Sequence, residues 1–428
     1  MFINFRRFCL MIVFSGGLAI SAALTVYGDD NELKAQLAAA LAKQDAAAIR
    51  KAANDMNRGL EDKAGIPEVQ DKYLPVPSDG KCLTPEEAQQ NFEPLFKKLE
   101  NFQWWKIGQD PAKLARPLRE PAAMITGNLA VCRAKLKGSE RSLAFARDAG
   151  DYLIWAQERG GSGVFPFPAS RGASQSAPFQ AAEKYMKKVE KDGRLDEAVR
   201  NGWLINDFGG GGLQFDNGEC GAAVLELYEF TREKKYLDAA RESADWALLQ
   251  PLVTNWNYNS FSVYLLARMY RATGEKKYLE GATKKALLGV IPGQLTEGKY
   301  AGRWGDGHNS RPAYHYIMLR SLAELAAVMA DDDASRRTVM AALLAGLKTR
   351  NQEILNQGVP NKDKAAEVLV LVNRVFADDK DFLRESLSAD ALDALAKLVS
   401  EQYRKGSLPL GPAEWGLFLE YVARKGGR

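Results

Sequence analysis

The segment Tyr228-Glu229-Phe230-Thr231-Arg232-Glu233-Lys234-Lys235-Tyr236-Leu237-Asp238-Ala239-Ala240 returns 42 residues later as Tyr270-Arg271-Ala272-Thr273-Gly274-Glu275-Lys276-Lys277-Tyr278-Leu279-Glu280-Gly281-Ala282. A period of that length is one helical hairpin. Each copy joins an apolar helix to an amphipathic one through a short Thr/Glu/Lys turn, so the first helix suits an inner layer and the second an outer one. A third copy lies upstream, where Ala146-Arg147-Asp148-Ala149-Gly150-Asp151-Tyr152 matches Ala240-Arg241-Glu242-Ser243-Ala244-Asp245-Trp246; its hairpin begins near Pro121.

Working outward, helical pairs follow at about 312–357 and 363–404, and a last helix starts near Pro412. Thr84-Pro85-Glu86-Glu87 reads as a helix start, with threonine at the cap and proline at the first helical position. Together these make about six hairpins. The expected fold is therefore all-α, an (α/α) toroid over 81–428 with an inserted loop at 160–212, preceded by a helical lead-in and linker at 29–80. An open solenoid is the alternative, but long inserted loops and an uneven period argue against it.

Arg6 and Arg7 precede an apolar run from Phe8 to Val26, and residues 1–28 read as a signal peptide for a periplasmic or secreted protein. Left uncleaved, the run is nearly long enough to anchor the chain in a bilayer; otherwise no membrane span is expected. The formal charge of +4 falls to +2 without Arg6 and Arg7, too small an excess to argue for a nucleic-acid partner. Cys82, Cys132 and Cys220 have no metal spacing, and at most one disulfide is expected, Cys82 with Cys132, against the alternative of three thiols. Neither metal nor cofactor is called for.

The 42-residue hairpins, the loop Gly209-Gly210-Gly211-Gly212-Leu213-Gln214-Phe215-Asp216-Asn217-Gly218-Glu219-Cys220-Gly221 and the start Trp256-Asn257-Tyr258-Asn259-Ser260-Phe261 resemble the (α/α) toroids of six-hairpin glycosidases and related polysaccharide lyases. The resemblance implies a central cleft lined by loops that lead into inner helices, and a polysaccharide or oligosaccharide substrate. Asp216 and Glu219 stand three apart, a pair suited to acid/base hydrolysis, although two acids near a helix start also complement its dipole and Asp216 could cap it. Trp256, Trp304 and Phe165 offer rings for sugar faces, with Arg303 and Asp306 beside them. Asn257 and Asn259 offer amides; the alternative reading, a helix cap, accounts for only one of the two. Glycines in 160–212 could act as hinges.

The stretch Trp304-Gly305-Asp306-Gly307-His308-Asn309-Ser310-Arg311-Pro312-Ala313-Tyr314-His315-Tyr316-Ile317-Met318-Leu319-Arg320 holds both histidines of the chain. Pro312 fits the first helical position, with Arg311 at the cap. Here the sequence resembles alginate-lyase-type toroids, in which an asparagine motif on one inner helix faces an arginine and a Tyr/His triplet on the next. That implies lysis of a uronate glycan by β-elimination without a metal. Tyr314 or Tyr316 would serve as base and acid and His315 or His308 would assist, while Asn257, Asn259 and Arg311 would neutralise the carboxylate. A hydrolase using Asp216, Glu219 or Asp306, a C5 epimerase and a non-catalytic glycan-binding toroid are the alternatives.

Overall fold

Thr84 opens a helix as its sequence predicts. Its hydroxyl accepts from the Glu87 N–H at 3.2 Å, the Glu87 carboxylate accepts from the Thr84 N–H at 2.8 Å, and Pro85 fills the position where no N–H is needed. The computed structural model describes residues 32–62, 73–101, 103–107, 118–160, 163–165, 212–305 and 309–425, with single positions between 184 and 193. The expected signal peptide, most of the inserted loop with its glycines, Asp306 and His308 lie outside the described residues.

The helices are α1 (32–43), α2 (Ala46–Asp62), α3 (Pro85–Glu100), α4 (Arg119–Arg133), α5 (Ser139–Gly160), α6 (Gly212–Thr231), α7 (Lys234–Leu249) and α8 (Trp256–Thr273). After them come α9 (Lys276–Gly289), α10 (Pro312–Ala326), α11 (Ala334–Gln357), α12 (Lys362–Val375), α13 (Lys380–Glu385), α14 (Ser388–Arg404) and α15 (Pro412–Lys425). The described residues contain no strand, only the isolated bridges Leu74–Val359 and Gln294–Trp304.

Packing closes a ring. α4 contacts α6, α6 contacts α8, and the series continues through α10, α12 and α15 back to α4. Outside them sit α5 on α4, α7 on α6, α9 on α8, α11 on α10, α14 on α12, and α3 on α15. This is the toroid of six hairpins expected from the repeat, and its sixth hairpin joins the two ends of the ring-forming chain. Alternation of inner and outer helices puts all six inner N-termini at one rim. The long connections 101–118, 161–211 and 290–311 each lead in sequence into an inner helix, whereas the α6–α7 and α8–α9 turns at the other rim have two residues each.

The sequence repeat is a repeat of contacts. Asp151 on α5 accepts from Lys235 Nζ at 2.6 Å and Tyr236 Oη at 2.9 Å, and Asp245 on α7 accepts from Lys277 Nζ at 2.7 Å and Tyr278 Oη at 2.9 Å. Thr231 and Thr273 shape the turns, donating to Leu227 and Met269 carbonyls and accepting from the N–H of Glu233 and Glu275. The exposed ion pairs contribute little. The Tyr236 and Tyr278 rings are fully buried and contribute more, about 1.5–3 kcal/mol each as large apolar side chains.

At the closing contact, a Cβ on Gly416 of α15 would stand 2.0 Å from the Gly127 carbonyl oxygen of α4, and a Cβ on Gly127 would stand 2.0 Å from that of Pro412. Only glycine lets these two inner helices touch. The expected disulfide is absent, because the two thiols face different neighbours: Cys82 Sγ lies 3.7 Å from Asp393 Oδ1, and Cys132 Sγ donates to the Ser139 carbonyl at 3.2 Å. No described helix is long and apolar enough to cross a membrane.

Candidate active site

The connection 290–311 is a built scaffold at the N-terminal rim. Leu295 N–H donates to Arg303 O at 2.7 Å, Gly302 N–H donates to Leu295 O at 2.8 Å, and Trp304 Nε1 donates to Val290 O at 2.7 Å. Arg303 pairs with Glu353 on α11; Glu353 also holds Arg350, which donates to Ser310 O at 3.1 Å. Fastened in this way to the outer helix, the loop delivers Arg311 to the N-cap and Pro312 to the first position of α10, as expected.

It also meets the start of α8. Asn257 Nδ2 donates to Asn309 Oδ1 and to Asn255 Oδ1, both at 2.7 Å, which fixes the amide orientation and leaves Asn257 Oδ1 buried without a partner. An unsatisfied buried oxygen costs about 1–3 kcal/mol. The Arg311 guanidinium lies 5.9 Å from the centre of the half-buried Tyr314 ring. Asn257 thus meets Asn309, two residues before Arg311, and Arg311 meets Tyr314.

Several expected site residues are framework instead. Asn259 is saturated by backbone, accepting from Val253 N–H at 3.0 Å and donating to Val253 O and Gly289 O at 2.7 Å each. Neither Asn257 nor Asn259 caps α8; Asn255 holds that position without a side-chain cap bond. Asn259→Ala is expected to lower stability by roughly 1–3 kcal/mol in a denaturant titration, the cost of stranding those backbone groups. His315 is fully buried, its Nε2 accepting from Trp304 N–H at 3.1 Å, and burial with Arg350 and Arg303 nearby holds its pKa well below the ordinary range. It stays neutral and is walled off from substrate. Tyr316 is fully buried, and burial drives its phenol pKa up, so it is no base. Trp256, Trp304 and Phe165 are also buried and form no sugar platform; Gly293 lies so close to the Trp256 indole that a Cβ there would sit 2.3 Å from Nε1. Arg303 is spent on Glu353. Asp216 sits in the second turn of α6 with no exposed surface and pairs with Arg119 Nε at 2.8 Å, so it is neither the cap nor an open carboxylate.

The axis of the ring carries what sequence reasoning missed. Glu219 is clasped by Arg320 of α10 through both terminal nitrogens, at 2.7 and 3.2 Å, and Arg320 also holds Glu367 of α12. Lys364 lies 2.7 Å from Glu367 and 3.6 Å from Glu414 of α15. Glu219 and Lys364 remain 19% and 27% exposed while Arg320 is 2% exposed, so this cluster opens to solvent at one end. Deeper, Arg133, Glu226, Arg268, Glu229 and Glu420 pair across the axis from α4, α6, α8 and α15. Tyr314 precedes Arg320 by six positions, about 120° around the helix, so the Arg311–Tyr314 group lines the rim beside the throat. The signal for the axial residues was present: Glu226, Arg268 and Arg320 are single charges inside apolar helical runs.

Burial raises the Glu414 carboxyl to about 7 despite Lys364, while Arg320 and Lys364 overcome burial and hold Glu367 at about 2. Since the folded pKa of Glu414 exceeds its ordinary 4.5, its contribution is full below about pH 4.5 and is lost as pH rises to 7. Glu414→Gln keeps the neutral form at every pH. The Tm of wild type is therefore expected to fall relative to that variant between pH 5 and 7.5, and a parallel pair of curves would refute the assignment.

No protein-family model matches the chain, and no curated protein matches it. Among solved structures, it is similar to a glycosyl hydrolase family 88 protein from Bacteroides vulgatus, with a TM-score of 0.51 and 12% identity over 81% of this chain and 99% of the other. A structure described as a polysaccharide lyase matches with a TM-score of 0.51 and 12% identity over 80% of this chain and 97% of its own. At this identity the likeness bears on the fold, which both share.

Proposed function

We propose that this chain is an exported carbohydrate-active enzyme that receives a glycan at the N-terminal rim and cleaves a uronate-containing chain by β-elimination. The observation that carries this reading is the junction of Asn257 and Asn309 beside the exposed Arg311 and Tyr314. That two toroids of similar fold are described as a glycosyl hydrolase and a polysaccharide lyase supports the substrate class.

Arg311 supplies the cation that offsets the C6 carboxylate and makes the C5 proton acidic. Asn257 is buried and holds Asn309 in place, so carboxylate neutralisation falls to Arg311. Tyr314 is the base that takes the C5 proton; the C5–H electrons form the C4–C5 double bond as the C4–O4 bond breaks, and the proton passes from the tyrosine to O4. The scheme needs no metal. Incubation with a panel of uronans is expected to give the absorbance of the unsaturated product, reduced about 10²-fold by Tyr314→Phe. A folded protein that yields no such absorbance on any uronan sinks the reading.

A second reading is favoured by the axial carboxyls. Glu414 is held toward its protonated form close to the ionised Glu367, with Glu219 across the cluster, an arrangement that separates acid from base. Hydrolysis there predicts new reducing ends without unsaturation, abolished by Glu414→Gln and spared by Tyr314→Phe.

A further inference from the structure

At the opposite rim, a cavity of about 560 Å³ lies between the ends of α12 and α15 and the α13–α14 segment. Its size falls within the roughly 300–1,000 Å³ typical of ligand pockets. Five cations line it, Arg374, Lys380, Arg384, Arg424 and Lys425, against two carboxylates, Asp390 and Glu420. Three of the cations are engaged: Arg384 with Asp381 at 2.6 Å, Arg424 with Glu420 at 2.5 Å, and Lys425 with Asp393 at 3.3 Å. Arg374 and Lys380 are exposed and have no ion-pair partner among the described residues.

Helix dipoles account for only part of this charge. Arg374, Arg424 and Lys425 stand in last turns, where a cation is favourable. Lys380 is the first residue of α13, where a cation is unfavourable. Asp379 and Asp381 flank it but form no ion pair with it, which leaves its charge open to an anion entering the cavity. The rest of the lining narrows the anion. Val370, Ala377 and Leu383 form an apolar floor beside the Tyr421 ring, which suits the C–H face of a sugar. Asp390 accepts from hydroxyls and repels a dianion such as phosphate, whereas Glu420 is engaged by Arg133 and Arg424.

We infer that this cavity is a second glycan site, binding a carboxylate-bearing sugar of the same polymer through Arg374 and Lys380, on the rim opposite the cleavage site. The inference rests on the reading of the substrate as a uronan. Ion pairs across the axis lie between the two rims, and the site holds polymer near the enzyme rather than feeding the cleavage site.

Isothermal titration of the full chain in a Tyr314→Phe background, with trimers of galacturonate, guluronate and glucuronate, tests it. At least one trimer is expected to bind a site whose Kd rises tenfold or more with Arg374→Ala/Lys380→Ala and is retained with the charge-preserving Arg374→Lys/Lys380→Arg. The inference is overturned if no trimer binds, if the alanine pair changes nothing, or if methyl-esterified trigalacturonate or inorganic phosphate binds that site equally well. Turnover is read separately as product absorbance in the Tyr314 parent. Absent turnover with intact binding removes the β-elimination reading and leaves this site; turnover with binding unchanged by the alanine pair does the reverse.

Discussion

Arg320→Ala is expected to lower the folding free energy by about 3–5 kcal/mol near pH 7, the usual cost of stranding a buried charge by removing its partner. Arg320 is 2% exposed and serves two carboxylates, Glu219 on α6 and Glu367 on α12, while its guanidinium lies 4.0 Å over the Tyr264 ring. Removing it leaves Glu367 dependent on Lys364 alone and strips Glu219 of both its short contacts. The pH dependence identifies the cause. Glu367 is held below its ordinary 4.5, so its contribution is present above about pH 4.5 and is lost as pH falls toward 2. The deficit of the variant is therefore expected to be largest at neutral pH and to close on acidification, in denaturant titrations run from pH 7 to 3. Replacing Arg320, Glu219 and Glu367 together by methionine and two glutamines restores much of the loss, because no buried charge then lacks a partner. A deficit below about 1 kcal/mol would place the cluster with ordinary exposed pairs.

How much of this was legible in the sequence follows from where each signal sits. The hairpins were legible because Thr231, Lys235 and Tyr236 act within one turn and against the preceding outer helix, so their spacing returns 42 residues later at Thr273, Lys277 and Tyr278. Pro312 and Thr84 marked helix starts through local chemistry alone. The axial cluster was not legible as a cluster, since Glu219, Arg320, Lys364, Glu367 and Glu414 come from four helices spread over almost 200 residues. At the site, adjacency in sequence misled in a specific way. Tyr314, His315 and Tyr316 are consecutive, yet helical geometry turns each about 100° from the last, so one meets solvent and two enter the wall between inner and outer layers. Asn257 and Asn259 part for the same reason: one faces Asn309, the other the Val253 and Gly289 backbone.

Gly416→Ala is expected to cost about 3 kcal/mol or more, at the upper end of overpacking penalties, because the atom it strikes is backbone. The new Cβ would lie 2.0 Å from the Gly127 oxygen, 2.6 Å from its carbonyl carbon and 2.6 Å from its Cα, and none of these can rotate away as a side chain would. Relief requires α4 and α15 to separate by more than an ångström, and that contact is where the end of the chain closes the ring. Gly127→Ala meets the Pro412 oxygen at 2.0 Å and is expected to do the same. Since both changes force one interface apart, their double variant should lose clearly less than the sum of the two. Gly274→Ala is the control: its φ of +71° makes alanine strained, but nothing lies within 4 Å of the new Cβ, so the cost is about 1 kcal/mol from backbone conformation alone. Thermal unfolding of the four variants separates the two causes. If Gly416→Ala melts no lower than Gly274→Ala, the two inner helices do not meet this closely, and Glu414, two residues before the contact, loses its fixed place against Lys364.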